Sequence, residues 1–114
     1  MRVATVILTS LLVAAMGPSR ASAADVQAGE ALYMANCMAC HGAAGDGKGP
    51  AAAALNPKPA DFTSAAYWDG KTDDFLKQVI RTGKPDTAMM PFAQLSDSDI
   101  DNLVAFIKSK KPAK

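Results

Sequence analysis

The chain has 114 residues, with 12 Lys and Arg against 11 Asp and Glu, one His and two Cys. That length allows one domain with a small core, and the near-balanced charge without a long basic run excludes a nucleic-acid partner. One His and two Cys are too few side chains for a four-ligand zinc site.

Residues 1–23 read as an export signal. Arg2 opens a short positive region, residues 3–16 are apolar apart from Thr5, Thr9 and Ser10, and residues 17–23 end in Ala21, Ser22 and Ala23. The apolar run is shorter than the ~18 to 20 residues a membrane span requires, so cleavage after Ala23 is expected, not retention as an anchor. No twin arginine and no Cys lie near the cut. The first points to ordinary unfolded export, and the second argues against a lipid anchor. The expected domain is residues 24–114, delivered to the periplasm with no membrane span. A chain of this size buries only about 60 to 65% of its surface and needs a staple or a cofactor to be firmly stable.

Residues 25–36 predict the first helix, with Asp25 as N-cap, Glu30 near the favourable end of the dipole, and Val26, Leu32 and Tyr33 on an apolar stripe. Gly29 in its interior costs about 1 kcal/mol relative to Ala, which points to close approach of another backbone.

Cys37, Met38, Ala39, Cys40 and His41 follow. Two thiols three positions apart lie on one side of a helical turn, with an imidazole directly after the second. The spacing suits covalent haem: the thiols add to two vinyl groups on one porphyrin edge, and the His swings under the ring to ligate iron. A redox disulfide pair also uses this spacing but wants a strand-helix-strand context, and no convincing strand precedes or follows. At these residues the chain resembles the class I c-type cytochromes. The resemblance implies an all-α fold, three main helices plus short turns wrapped around one covalently bound haem c, with Cys37 and Cys40 as attachment points. It also implies that the first helix crosses the last at Gly29, with Tyr33 one turn on, and that Leu103 and Phe106 meet it there.

Gly42, Gly45, Gly47 and Gly49 sit among Asp46, Lys48 and Pro50, a loop signature with neither the strand nor the GK[ST] ending of a phosphate cradle. The resemblance implies that the Pro50 carbonyl accepts a hydrogen bond from His41, fixing the ligating imidazole. Residues 51–55 predict a helical turn. Residues 59–71 read as loop and carry Phe62, Tyr67 and Trp68, either a side wall with a hydrogen bond to a haem propionate or simple core filling. Residues 72–82 predict a second helix, capped by Thr72 and ended by Gly83, with Phe75, Leu76, Val79 and Ile80 on its packing face. In the irregular run 86–94, Met90 precedes Pro91, the position at which the resembled family carries its axial Met; Met89 is the neighbouring alternative, with Met34 and Met38 weaker ones. Residues 96–109 predict the last helix, Ser96 capping with Asp99 three residues on, and Ile100, Leu103, Val104 and Ile107 in helical register. Lys108, Lys110, Lys111 and Lys114 make a basic tail that suits the helix C-terminus.

With His41 and Met90 as the two axial ligands of the iron, no coordination position stays open. The expectation is a one-electron carrier with no catalysis of its own, monomeric, docking transiently to a redox donor and acceptor. The alternative is the haem-bearing, electron-accepting subunit of a periplasmic oxidoreductase.

Overall fold

The computed structural model describes residues 23–113 together with residues 3, 4, 7, 9 and 10, so most of the expected export signal lies outside the described residues. Its elements are all helical: α1 (Val26–Asn36), α2 (Met38–His41), a turn of 3-10 helix (Ala52–Ala54), a second (Ala65–Trp68), α3 (Asp73–Thr82) and α4 (Asp97–Lys108). No helix among the described residues is long and apolar enough to cross a membrane.

The crossing of α1 and α4 sets the frame. Asp25 caps α1 by accepting from the backbone N–H groups of Gln27 and Ala28. Its own N–H donates to Asn102 Oδ1 at 2.8 Å, which pins the start of α1 to the middle of α4. Gly29 sits where the helices touch: a Cβ there would lie 1.9 Å from the Asn102 carbonyl oxygen. With the backbones this close, Tyr33, Ile100 and Leu103 are fully buried, and the Tyr33 and Phe106 rings meet at 4.9 Å.

At the start of α4 the Ser96 side chain accepts from the Asp99 N–H and the Asp99 carboxylate accepts from the Ser96 N–H, a complete capping box. Thr72 caps α3 through Phe75 N–H. Leu76 and Ile80 of α3 join the core, but Phe75 does not: it is 38% exposed, with the Lys71 ammonium 5.3 Å from its ring centre. The expected four-residue face is therefore narrower, because a single helix packed on α4 turns only one stripe inward.

The loop expected over 59–71 contains the 3-10 turn Ala65–Trp68. Trp68 Nε1–H donates to the Phe62 carbonyl at 2.9 Å, and both rings are buried. The indole N–H is thus spent inside the protein, and core filling is its role. The basic tail folds back over the same wall, Lys111 over Trp68 and Lys110 over Phe106, while Lys108 pairs with Asp73.

Candidate functional site

Cys37 closes α1, its N–H donating to the Tyr33 carbonyl at 2.8 Å, and also opens α2. A helix of four residues leaves all of its carbonyls without partners inside the helix. Here each carbonyl finds one in the loop that follows. Met38 O accepts from Gly42 N–H, Ala39 O from Ala51, Cys40 O from Gly49 and His41 O from Gly47, at 2.8 to 3.1 Å. The loop runs back along the turn and zips onto it.

That zip explains the glycines. Gly42, Gly45, Gly47 and Gly49 are all buried, unusual for a glycine-rich loop. Gly49 lies so near the turn that a Cβ would come 2.3 Å from Ala39 O and 2.5 Å from Met38 O. Gly47 has φ +76° and packs on the carbonyls of Pro59 and Ala60. Tyr33 ties this region to the crossing: its hydroxyl donates to the Gly42 carbonyl at 2.6 Å, and burial raises its pKa well above the ordinary range.

The side chains so held are half-buried, and Cys37 and Cys40 are free thiols. Burial pushes the Cys37 thiol up to about 11, and Cys40 beside it adds to the shift. A thiol raised in this way is the reverse of the activated thiolate that disulfide exchange requires. Among the described residues no three His, Cys, Asp or Glu side chains gather to hold a bare metal ion.

His41 stacks on Phe62, ring centres 4.8 Å apart, and burial lowers its pKa. Its Nδ1 lies 3.2 Å from the Ala60 carbonyl oxygen. Pro50, implied for that role, is exposed, and the carbonyl facing the imidazole is Ala60's instead. The cause is local: Phe62 N–H bonds to Gly45 O at 2.7 Å and Gly47 packs on Ala60, which brings the 59–62 segment against the loop. With Nδ1 donating there, Nε2 is the nitrogen left for a metal.

Met90 lies on the segment after α3. Gly83, in the left-handed region at φ +73°, lets this segment pass close: a Cβ would lie 2.8 Å from Met89 O and 2.9 Å from Pro91 N. Met89 closes the turn, with its carbonyl accepting from Lys84 N–H and its N–H donating to Thr87 Oγ1. Phe92 N–H donates to Ile80 O at 2.9 Å and fixes the far side. Met90 between these anchors is 62% exposed. The structure gathers Cys37, Cys40 and His41 on one turn and leaves the Met90 thioether outside the core.

This donor set fits covalently attached haem. Two free thiols one helical turn apart would hold the group, the adjacent imidazole would ligate the iron through Nε2, and every backbone carbonyl of the turn is already committed, so the frame is rigid. The zip itself and the Ala60 carbonyl were missed by reasoning from sequence; four closely spaced glycines were the one available signal.

A model of the cytochrome c family matches residues 26–111. Cytochrome c-554(547) of Halothiobacillus neapolitanus is 38% identical over 93 residues, covering 78% of this chain and 100% of that protein. Dihydro-heme d1 dehydrogenase of Pseudomonas aeruginosa is 38% identical over 86 residues, 74% of this chain but only 15% of that protein. Among solved structures, the chain is similar to one from the reducing HAO-like protein complex of Kuenenia stuttgartiensis. The TM-score is 0.68 at 25% identity, covering 81% of this chain and 45% of that one.

Proposed function

The chain belongs to the class I c-type cytochromes, and on that premise we propose that it is an exported electron carrier whose haem iron is held between His41 and Met90. Haem c, attached covalently, is the cofactor that the family carries, and electron transfer is its work. When bound, it would supply a one-electron couple.

The protein's own residues do the rest. Cys37 and Cys40 hold the group by two thioethers. His41 presents Nε2, its orientation set by the Nδ1 contact to the Ala60 carbonyl. Met90 would supply a thioether to the iron, and a soft sulfur ligand would raise the reduction potential relative to a second His. Met90 is preferred to Met89 because the Met89 backbone is engaged in both directions while Met90 is presented just before Pro91. With His41 and Met90 both ligating, the iron would have no position open to oxygen, peroxide or a substrate, so the protein would pass electrons and catalyse nothing itself. Export by a signal cleaved after Ala23 places it in the periplasm as a monomer that meets its donor and acceptor transiently.

The observation that carries this reading is the zipped turn with its two free thiols and one imidazole. Its test is the spectrum of protein matured by a c-type haem assembly system. The denatured polypeptide should retain haem on a stained gel, and the reduced wild type should not bind carbon monoxide at neutral pH. Met90→Ala should bind it readily while Met89→Ala stays closed; the reverse pattern would move the ligand to Met89. A second reading, the haem-bearing subunit of a periplasmic oxidoreductase, is favoured by one finding: relatives carry this fold as 15% or 45% of a longer chain. Purification from its native source as a stable complex would establish it.

A further inference from the structure

Ala24 and Asp101 both line two hollows beside α1. One, about 430 Å³ in the uncleaved chain, is lined by Ala23, which cleavage would remove, and by Ala24, Asp25, Ser98, Asp101 and Asn102, which stay. The other, about 220 Å³, is lined by Ala24 and Asp101 together with residues of α3 and α4, among them Asp73, Lys77 and Lys108. Ala24 and Asp101 are the two residues common to both.

We propose that removal of the leader after Ala23 creates an α-ammonium on Ala24 that docks in this groove and pairs with the Asp101 carboxylate, fastening the mature N-terminus to α4. The inference rests on the cleavage point given above and goes beyond the electron-carrier reading.

Three observations carry it. The next backbone nitrogen, that of Asp25, is already fixed to Asn102 Oδ1 at 2.8 Å, and consecutive Cα atoms are only about 3.8 Å apart, which keeps Ala24 N close to α4. Asp101 uses Oδ1 for Lys77 at 3.0 Å, and a carboxylate has a second oxygen to offer. The charges also leave a place for one more cation. The groups facing the groove are the carboxylates of Asp25, Asp73 and Asp101 and the ammoniums of Lys77 and Lys108. Lys108 pairs with Asp73 and Lys77 with Asp101, which leaves Asp25 without a cation, its carboxylate accepting from the Gln27 and Ala28 N–H groups through Oδ1. In the uncleaved chain, Ala24 N is a neutral amide. In the mature chain it is a cation at neutral pH, its ordinary pKa being about 7.7 to 8.0. The positive end of α1 opposes a cation there, and Asp25 and Asp101 offset that opposition.

A favourable pair raises the pKa of the amine. The part of the stability that depends on it is therefore present below the ordinary value and lost as the pH rises through the raised one.

The test uses the holoprotein matured with its own leader. Intact mass should first show Ala24 at the N-terminus; a different first residue overturns the proposal. The rate of acylation of the α-amine, read by peptide mapping against pH, then reports its pKa. Asp101→Asn should lower that pKa by about half a unit and speed acylation at pH 7.5 about two- to threefold. Lys77→Ala breaks the same ion pair on α3 but frees Asp101, so it should leave the amine as slow as in wild type or slower. An equal rate in wild type and Asp101→Asn, or a faster one in Lys77→Ala, overturns the pairing while leaving the cleavage point and the electron-carrier reading intact.

Discussion

Tyr33, Ile100 and Leu103 at the crossing of α1 and α4 are fully buried, whereas Cys37, Cys40 and His41, directly after α1, are half-buried. The crossing is held by side chains: apolar groups interdigitate around one glycine, and burial supplies the free energy. The turn is held by backbone: a glycine-rich loop donates its N–H groups to the carbonyls of a helix too short to stabilise itself. The difference suits the work. Side chains of the turn are only partly packed, Cys37 against the core and His41 on Phe62, which leaves them available to a cofactor, while their positions are set by peptide groups that no cofactor consumes.

The comparison breaks most visibly at Gly29. Gly29→Ala drives a methyl into the Asn102 carbonyl, an atom of α4 that moves only with its helix, and should cost about 3 kcal/mol or more. Urea unfolding of the holoprotein measures it. A loss below about 1 kcal/mol would mean that the helices are not in backbone contact.

Gly49→Ala makes the opposite cut. The new methyl meets Ala39 O and Met38 O, so the loop must leave the turn and the bond from Gly49 N–H to Cys40 O is lost. A cost of about 2 kcal/mol is expected, with α1 and α4 intact by circular dichroism but less covalent haem per polypeptide. Full haem loading with unchanged stability would show that the zip does not organise the thiols.

Ser96→Ala sharpens the contrast from the other side. It removes half of the capping box of α4 and should cost about 1 kcal/mol, with haem attachment unchanged. Stability and cofactor loading should thus separate: the frame variants move the first, the loop variant moves both.

The two regions were not equally legible in the sequence. The crossing could be read because its signals are side chains: Asp25, Thr72 and Ser96 as caps, Gly29 where a glycine has no helical reason to be, and the register of Ile100, Leu103, Val104 and Ile107. The spacing of Cys37, Cys40 and His41 was equally plain. The device that holds them was not, because a peptide N–H is the same whichever residue carries it. Residues 42–49 read only as loop, although all four of their glycines are buried. The shift from Pro50 to Ala60 has the same origin, since a backbone carbonyl leaves no mark on composition. Ala65 and Ala66 give no periodicity, and the 3-10 turn they begin was hidden for that reason.

Lys110 joins the regions and yields the smallest effect. Its stem lies against Gly45, where a Cβ would come 3.1 Å from Lys110 Cγ, and its ammonium sits 4.8 Å from the centre of the Phe106 ring. The stem therefore touches the loop and the charge touches the crossing. Lys110→Ala removes both and should cost about 1 kcal/mol. Lys110→Met keeps the stem and should recover about half of that, since an exposed cation over a ring contributes about 0.5 to 1 kcal/mol. Denaturant midpoints of the three proteins, compared at low and high salt, decide it. If Met fails to recover anything, Gly45 gains nothing from the stem, and the tail belongs to the crossing alone.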